Sequence, residues 1–203
     1  MKRIIFGIDE VGRGALAGPV VLAAVIPRRR ISWTHREFGR IRDSKKLTPL
    51  RREAWFRHLT AHPALDWRVA RVSPAVIDRI NISKAANLAA YRLVQRVMPS
   101  RRSATSKARP RRSVFVWLDG GLALPEHVLH KALIRGDERV PLIAAASIIA
   151  KVWRDRIMRR LAVTLPAYGF EIHKGYATRH HRRMLRQHGL SAVHRRSFCR
   201  RLI

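Results

Sequence analysis

Asp9 and Glu10 stand side by side at the end of the apolar run that begins at Ile4, in a chain with only 13 acidic residues against 43 basic ones. Two adjacent carboxylates at the end of a core strand are costly, because burial disfavours their charged forms and each disfavours the other. The run reads as a buried strand entering the Gly12-Arg13-Gly14 turn, as a short apolar stretch followed by glycine predicts. A fold built on such a strand must compensate the acids where the strand ends. A divalent cation does so naturally: Mg2+ and Mn2+ take oxygen ligands and are held by a few carboxylates plus water and phosphate. A helix cap or an ion pair with Arg13 is the competing reading.

Other acids occupy similar places. Val114 to Leu118 is an apolar run ending at Asp119-Gly120-Gly121, so Asp119 falls at a strand end, and Asp137 follows Gly136. Each also has a plain reading as a turn aspartate. Val20 to Ile26 is a second β-branched run, expected to pair with the first as a hairpin. Thr48-Pro49 caps a helix with Leu50, Ala54 and Leu59 on one face, and Asp43-Ser44-Lys45-Lys46 lies in the loop before it. Trp67 to Ser73 reads as a strand, Ser73-Pro74 as the cap of a short helix, and Ala85 to Met98 as a longer one. Leu142 to Met158 reads as a long, largely buried helix, and Arg179 to Gln187 as another helix in a basic, His-rich C-terminal part. Alternating strands and helices give an α/β class.

A chain of 203 residues that is 47% hydrophobic is long enough for one core and short for two domains, so 1–203 is read as a single domain. Residues 99–112 have no apolar period and are expected to be a flexible basic insert, either solvated or touching backbone phosphate. The formal net charge of +30 points to a polyanion, nucleic acid first. Only eight of the basic residues are Lys; the Arg excess fits bidentate phosphate recognition or Arg-rich codon usage. No apolar run approaches membrane length, no signal-peptide pattern opens the chain, and no membrane partner is expected. The single cysteine, Cys199, agrees with a reducing cytoplasm.

The stretch Gly7-Ile8-Asp9-Glu10-Val11-Gly12-Arg13-Gly14-Ala15-Leu16-Ala17-Gly18-Pro19-Val20-Val21 resembles the N-terminal signature of ribonuclease HII, the type 2 ribonuclease H family. Asp43-Ser44-Lys45-Lys46-Leu47, Gly136-Asp137 leading to Ala144–Val152 and Arg154-Asp155, Tyr168-Gly169-Phe170, His173-Lys174-Gly175-Tyr176 and His194-Arg195-Arg196-Ser197-Phe198 follow in that family's order. Val11, Ala15 and Ala177 depart from the usual Ala, Pro and Gly; none removes a catalytic group, and Ala177 bears on the tyrosine loop. The resemblance, from about residue 4 to 198, implies a ribonuclease H-like fold: a mixed β-sheet flanked by helices, with a C-terminal helical portion from about residue 165 completing the groove.

It also implies a metal-binding tetrad, Asp9, Glu10, Asp119 and Asp137, with Mg2+ or Mn2+ as cofactor. Gly12, Arg13, Gly14, Ser44, Lys45, Lys46 and Tyr176 become the expected substrate contacts. The implied substrates are RNA–DNA hybrids and duplex DNA containing ribonucleotides, cut by a monomeric enzyme. A non-catalytic RNA-binding protein would explain the charge but not acids in this register. A type 1 ribonuclease H or junction resolvase lacks the Gly-Arg-Gly and Lys-Gly-Tyr blocks. Arg154 and Asp155 are read as a helix-surface ion pair, with Asp155 the competitor for the fourth acid. His173, His188 and His194 are candidates for proton shuttles or phosphate donors, or are structural.

Overall fold

Ile4–Val11 forms the central strand β1 and Val20–Pro27 forms β2, paired antiparallel as the two apolar runs predict. A computed structural model describes residues 3–98, 113–200 and 202; the expected basic insert, 99–112, lies outside them. After the small hairpin β3 (Thr34–His35) and β4 (Gly39–Arg40) come α1 (Pro49–Ala61), β5 (Leu65–Val72), α2 (Pro74–Ile80) and α3 (Ile82–Val97). Then follow β6 (Val114–Asp119), β7 (His130–Leu133), α4 (Gly136–Arg139) and α5 (Pro141–Thr164), with α6 (Phe170–His173), α7 (Arg179–His188) and α8 (Arg196–Cys199) closing the chain. The five-stranded sheet runs β5-β2-β1-β6-β7. It is mixed: β2 lies antiparallel to β1 and β5, whereas β1, β6 and β7 are parallel. This is the α/β architecture expected.

Side-chain alternation divides the core. Phe6, Ile8, Leu22, Ala24, Val116 and Leu118 face α2 and α3, while Ala23 and Val25 face α5 together with Trp55, Phe56 and Leu59 of α1. β2 is buried on both faces, which is why its sequence is continuously apolar rather than alternating. A third cluster joins Leu16, Ala17 and Met158 to Tyr168, Phe170, Leu185 and Cys199, docking the C-terminal helices onto the β1–β2 connection. Among the described residues no helix is long and apolar enough to cross a membrane.

Two local expectations change. Leu50 is 82% exposed; the buried face of α1 is made by Trp55, Phe56 and Leu59. Ser73 precedes α2 but its side chain makes no capping bond, and Pro74 supplies the start. Thr48, by contrast, accepts from the Arg51 backbone N–H at 3.3 Å.

The sheet approaches α5 unusually closely at Gly7, where a Cβ would lie 2.6 Å from the carbonyl carbon of Leu142. Backbone cannot yield as a flexible side chain does. Gly7→Ala should therefore cost about 2 kcal/mol, within the range of overpacked cores, read as a lower midpoint in urea unfolding. An unchanged midpoint would show that α5 slides away freely.

Candidate active site

Strand register brings the acids together. Ile8 pairs with Leu118 across the parallel β1–β6 ladder, so Asp9 and Asp119 leave adjacent strands at the same level. Asp119 is also level with Leu133, the last residue of β7. The chain then turns so that the Gly136 N–H donates to Asp119 Oδ1 at 2.8 Å, which delivers Asp137 to the same edge of the sheet. Ligand sites in parallel α/β sheets lie at these carboxyl ends.

Asp9, Glu10 and Asp119 offer oxygens that all lie within 4.8 Å of one another. Burial, then the Glu10 and Asp119 charges, raise the Asp9 carboxyl well above its ordinary range, with the nearby Ser147 hydroxyl opposing. Burial pushes Glu10 up to about 7, against the attraction of Arg13. Glu10 Oε2 is buried with no hydrogen-bond partner among the described residues. An orphaned carboxylate oxygen in a tight all-oxygen group fits a hard divalent cation. Asp137 stands outside that trio, buried beside Asp43 and Lys45; burial and the charges of Asp43 and Asp119 raise it to about 6.

The remaining expected site residues fall into two groups. Lys45 and Lys46 are exposed, reaching Asp137 at 3.9 Å and Glu138 at 3.0 Å. Burial lowers the Lys45 ammonium, but the field of Asp43, Asp137, Asp9 and Asp119 outweighs it and raises its pKa. Ser44 instead is buried, its hydroxyl 2.8 Å from that of Ser147 on α5. Arg13 reaches sideways: it donates to Gly121 O at 2.9 Å and Ser83 Oγ at 3.0 Å and sits 3.4 Å from Glu10 Oε1. A Cβ on Gly14 would meet nothing within 4 Å, so that part of the turn is open to an approaching molecule.

The Gly-Arg-Gly turn rests on two buried guanidiniums. Arg154 donates to the carbonyls of Pro19, Ala17 and Lys174 at 2.9–3.0 Å. Arg195 donates to those of Gly18, Arg13 and Gly12 at 2.7–3.1 Å. This corrects the expected surface pair: Arg154 is fully buried and Asp155 pairs with Lys151 at 2.7 Å instead. Gly12 has φ +86, and a Cβ there would fall 2.0 Å from Arg154 Nε, so the turn needs glycine for conformation and for space. Tyr176 is half-buried, its ring centroid 5.2 Å from the Arg154 guanidinium and 6.0 Å from Lys151 Nζ. Leu16 N–H donates to Gly175 O at 2.8 Å, fastening the tyrosine loop to the β1–β2 connection. Sequence reasoning gave no role to Arg195, Ser147 or the buried Asp43, although each lies in a block that carries the family resemblance.

Glu10 gives the site a pH signature. Between about 4.5 and about 7 the unfolded chain releases this proton while the folded chain keeps it, so its contribution to stability is present below that window and lost as pH rises through it. In chelator, thermal midpoints should show a component of decline across this window that Glu10→Gln removes. Mg2+ should offset the decline at the alkaline end. Identical slopes in wild type and variant would contradict the burial of an ionisable Glu10.

The family model described as Ribonuclease HII matches residues 6–201. A ribonuclease HII from Nostoc sp. is 41% identical over 196 residues, 96% of this chain and 81% of that protein. The fold matches ribonuclease HII solved in a PCNA complex from Archaeoglobus fulgidus with TM-score 0.73 and 26% identity, covering 95% of this chain and 93% of that one. It also matches ribonuclease H2 from Pyrococcus horikoshii with TM-score 0.66 and 25% identity, covering 98% and 96%. With carboxylates gathered at the ends of β1 and β6 and a match along nearly its whole length, the chain belongs to the ribonuclease HII family and is a type 2 ribonuclease H, an endoribonuclease acting on nucleic acid.

Proposed function

We propose that the enzyme hydrolyses the RNA strand of RNA–DNA hybrids and cuts 5′ of single ribonucleotides embedded in duplex DNA, leaving 3′-hydroxyl and 5′-phosphate ends. The observation that carries this reading is the crowded trio Asp9, Glu10 and Asp119, with its orphaned Glu10 oxygen, in a chain of net charge +30. The trio and Asp137 would hold two divalent ions, Mg2+ or Mn2+. When bound, such ions stabilise charge on the attacking and leaving oxygens of an in-line displacement. The enzyme is proposed to act as a monomer in the cytoplasm.

The chain's own residues bind and orient the duplex. Lys45 and Lys46, exposed beside Asp137 and Glu138, attract backbone phosphate. The chemical handle that separates RNA from DNA is the 2′-hydroxyl. Gly12, Arg13 and Gly14 offer backbone groups to it, and the open space at Gly14 supports close approach. Ser44 acts from beneath, through Ser147. The Tyr176 ring packs on the following deoxy sugar, an apolar face with a polar tip suited to a junction.

The test is cleavage of a duplex with one embedded ribonucleotide, with and without Mg2+ or Mn2+. Asp9→Asn or Asp119→Asn should abolish cutting in Mg2+ yet, with both proteins compared in chelator, retain or tighten duplex binding, since removing negative charge from a phosphate site does not weaken attraction. Most activity surviving in either variant under saturating Mg2+ would sink the metal assignment. Tyr176→Ala should cost far more in rate on this substrate than in thermal stability. Equal cutting of all-DNA duplex by the wild type would place specificity elsewhere.

A further inference from the structure

Three buried histidines lie beneath the tyrosine loop, outside the acid cluster: His173, His181 and His194. Backbone partners whose roles are fixed set where the ring protons sit. Ser191 N–H points at His194 Nδ1 from 3.0 Å and the Ser191 hydroxyl lies 2.8 Å from it; a backbone N–H only donates, so this nitrogen is bare and the hydroxyl donates to it as well. At the far end, His181 Nδ1 lies 2.9 Å from Tyr176 O; a carbonyl only accepts, so this nitrogen carries the proton. Between them the two Nε2 atoms are 3.0 Å apart. A neutral His181 has a bare Nε2 and a neutral His194 a protonated one, so the bond runs from His194 to His181. His173 obeys the same logic: its Nε2–H donates to Tyr168 O at 2.8 Å and its Nδ1 accepts from Gly175 N–H at 3.1 Å.

We infer that His181 and His194 are positioning residues for Tyr176, forming a one-way relay from the Ser191 turn through two neutral imidazoles to the tyrosine's own carbonyl. This rests on the reading of Tyr176 as the sugar-junction residue. Tyr176 O also accepts from Thr178 N–H at 2.8 Å, so the carbonyl is fixed by the helix start on one side and by the relay on the other. Gly175, with φ +81, contributes no side chain to the loop. Phe170 packs on all three rings at centroid distances of 5.6–5.8 Å. His173 stacks on His181 at 4.2 Å, where two cationic rings would repel. Burial lowers His181 and His194 to about 4, which keeps both neutral at the pH of the cell. A cation at either position would set two N–H groups against each other.

The relay makes a claim about protons that a merely packed histidine does not. In histidine-15N-labelled full-length protein at neutral pH, ring correlations should show the proton on Nδ1 of His181 and on Nε2 of His194 and His173. The opposite tautomer, or a cationic ring, at His181 or His194 overturns the relay. In kinetics with saturating Mg2+, His181→Phe and His194→Phe should lower cleavage of the single-ribonucleotide duplex relative to an RNA–DNA hybrid by about tenfold, the scale of one hydrogen bond. His181→Asn, whose amide can donate where Nδ1 did, should recover most of that ratio. Equal losses on both substrates, or no recovery by Asn, overturns the positioning role. Tyr176→Ala in the same assay separates the two ideas: an unchanged substrate ratio there sinks the reading of Tyr176, whereas wrong tautomers sink the relay alone. If the Phe variants misfold, the wild-type tautomers still decide.

Discussion

Three carboxylates with oxygens inside 4.8 Å repel one another, and much of the surrounding structure is what keeps them from relaxing apart. Asp9 and Glu10 are consecutive residues of one strand, so their backbones cannot separate even though a strand turns successive side chains to opposite faces. Asp119 is fixed by eight-residue β1 and six-residue β6 pairing in parallel register, and by the Gly136 N–H on its Oδ1. Arg13 then ties Glu10 to the turn after β6. The repulsion is thus held by covalent geometry and ladder hydrogen bonds, which give far less than a surface side chain would. Burial first, and the charges of neighbouring carboxylates after it, hold the Asp9, Glu10 and Asp137 carboxyls above their ordinary range.

Next to this acidic group the fold buries two cations, and it does not pair them with it. Arg154 and Arg195 instead satisfy six backbone carbonyls of the β1–β2 connection and the tyrosine loop. Burying an unpaired charge is costly unless every donor finds a partner. The planar fork of arginine reaches several carbonyls at once, as a single ammonium does not. Burial lowers both guanidiniums, Arg195 to about 9 with Arg154 adding to the shift. Through Arg154 the Gly12–Pro19 connection and the tyrosine loop share one scaffold.

The sequence carried the acids and the strands plainly, because each stood against its background. Asp9, Glu10 and Asp119 were conspicuous in a chain with few acids, and the continuous apolar run of β2 matched its burial on both faces. The roles of the two arginines were hidden for the opposite reason. In a chain with 43 basic residues, Arg154 looks like solvated helix surface, and only the arrival of residues 17–19 and 174 from elsewhere in the chain buries it. Leu50 misled because helical period finds a face but not whether anything covers it; α1 buries the side bearing Trp55 and Leu59. The histidine pair, thirteen residues apart across a turn, leaves no spacing signature.

Charge is distributed in two opposed layers, and their opposition has a consequence for binding. Asp9, Glu10, Asp43, Asp119, Asp137 and Glu138 are six of the 13 acids, gathered around one end of the sheet, while the chain as a whole carries +30. Beyond roughly one Debye length, about 8 Å at physiological salt, exposed charges are screened. The basic exterior therefore governs encounter with a polyanion, and the acidic cluster governs the last few ångströms. Without compensation the cluster would repel the very phosphate the exterior draws in. A divalent cation held among these carboxylates would offset that local charge, and a phosphate would in turn bring negative charge to the cation. Coupling of this kind is reciprocal: whatever factor the cation adds to duplex affinity, the duplex adds to cation affinity. Crowding the acids would thus link metal occupancy to the presence of substrate, more strongly than a looser arrangement of the same residues.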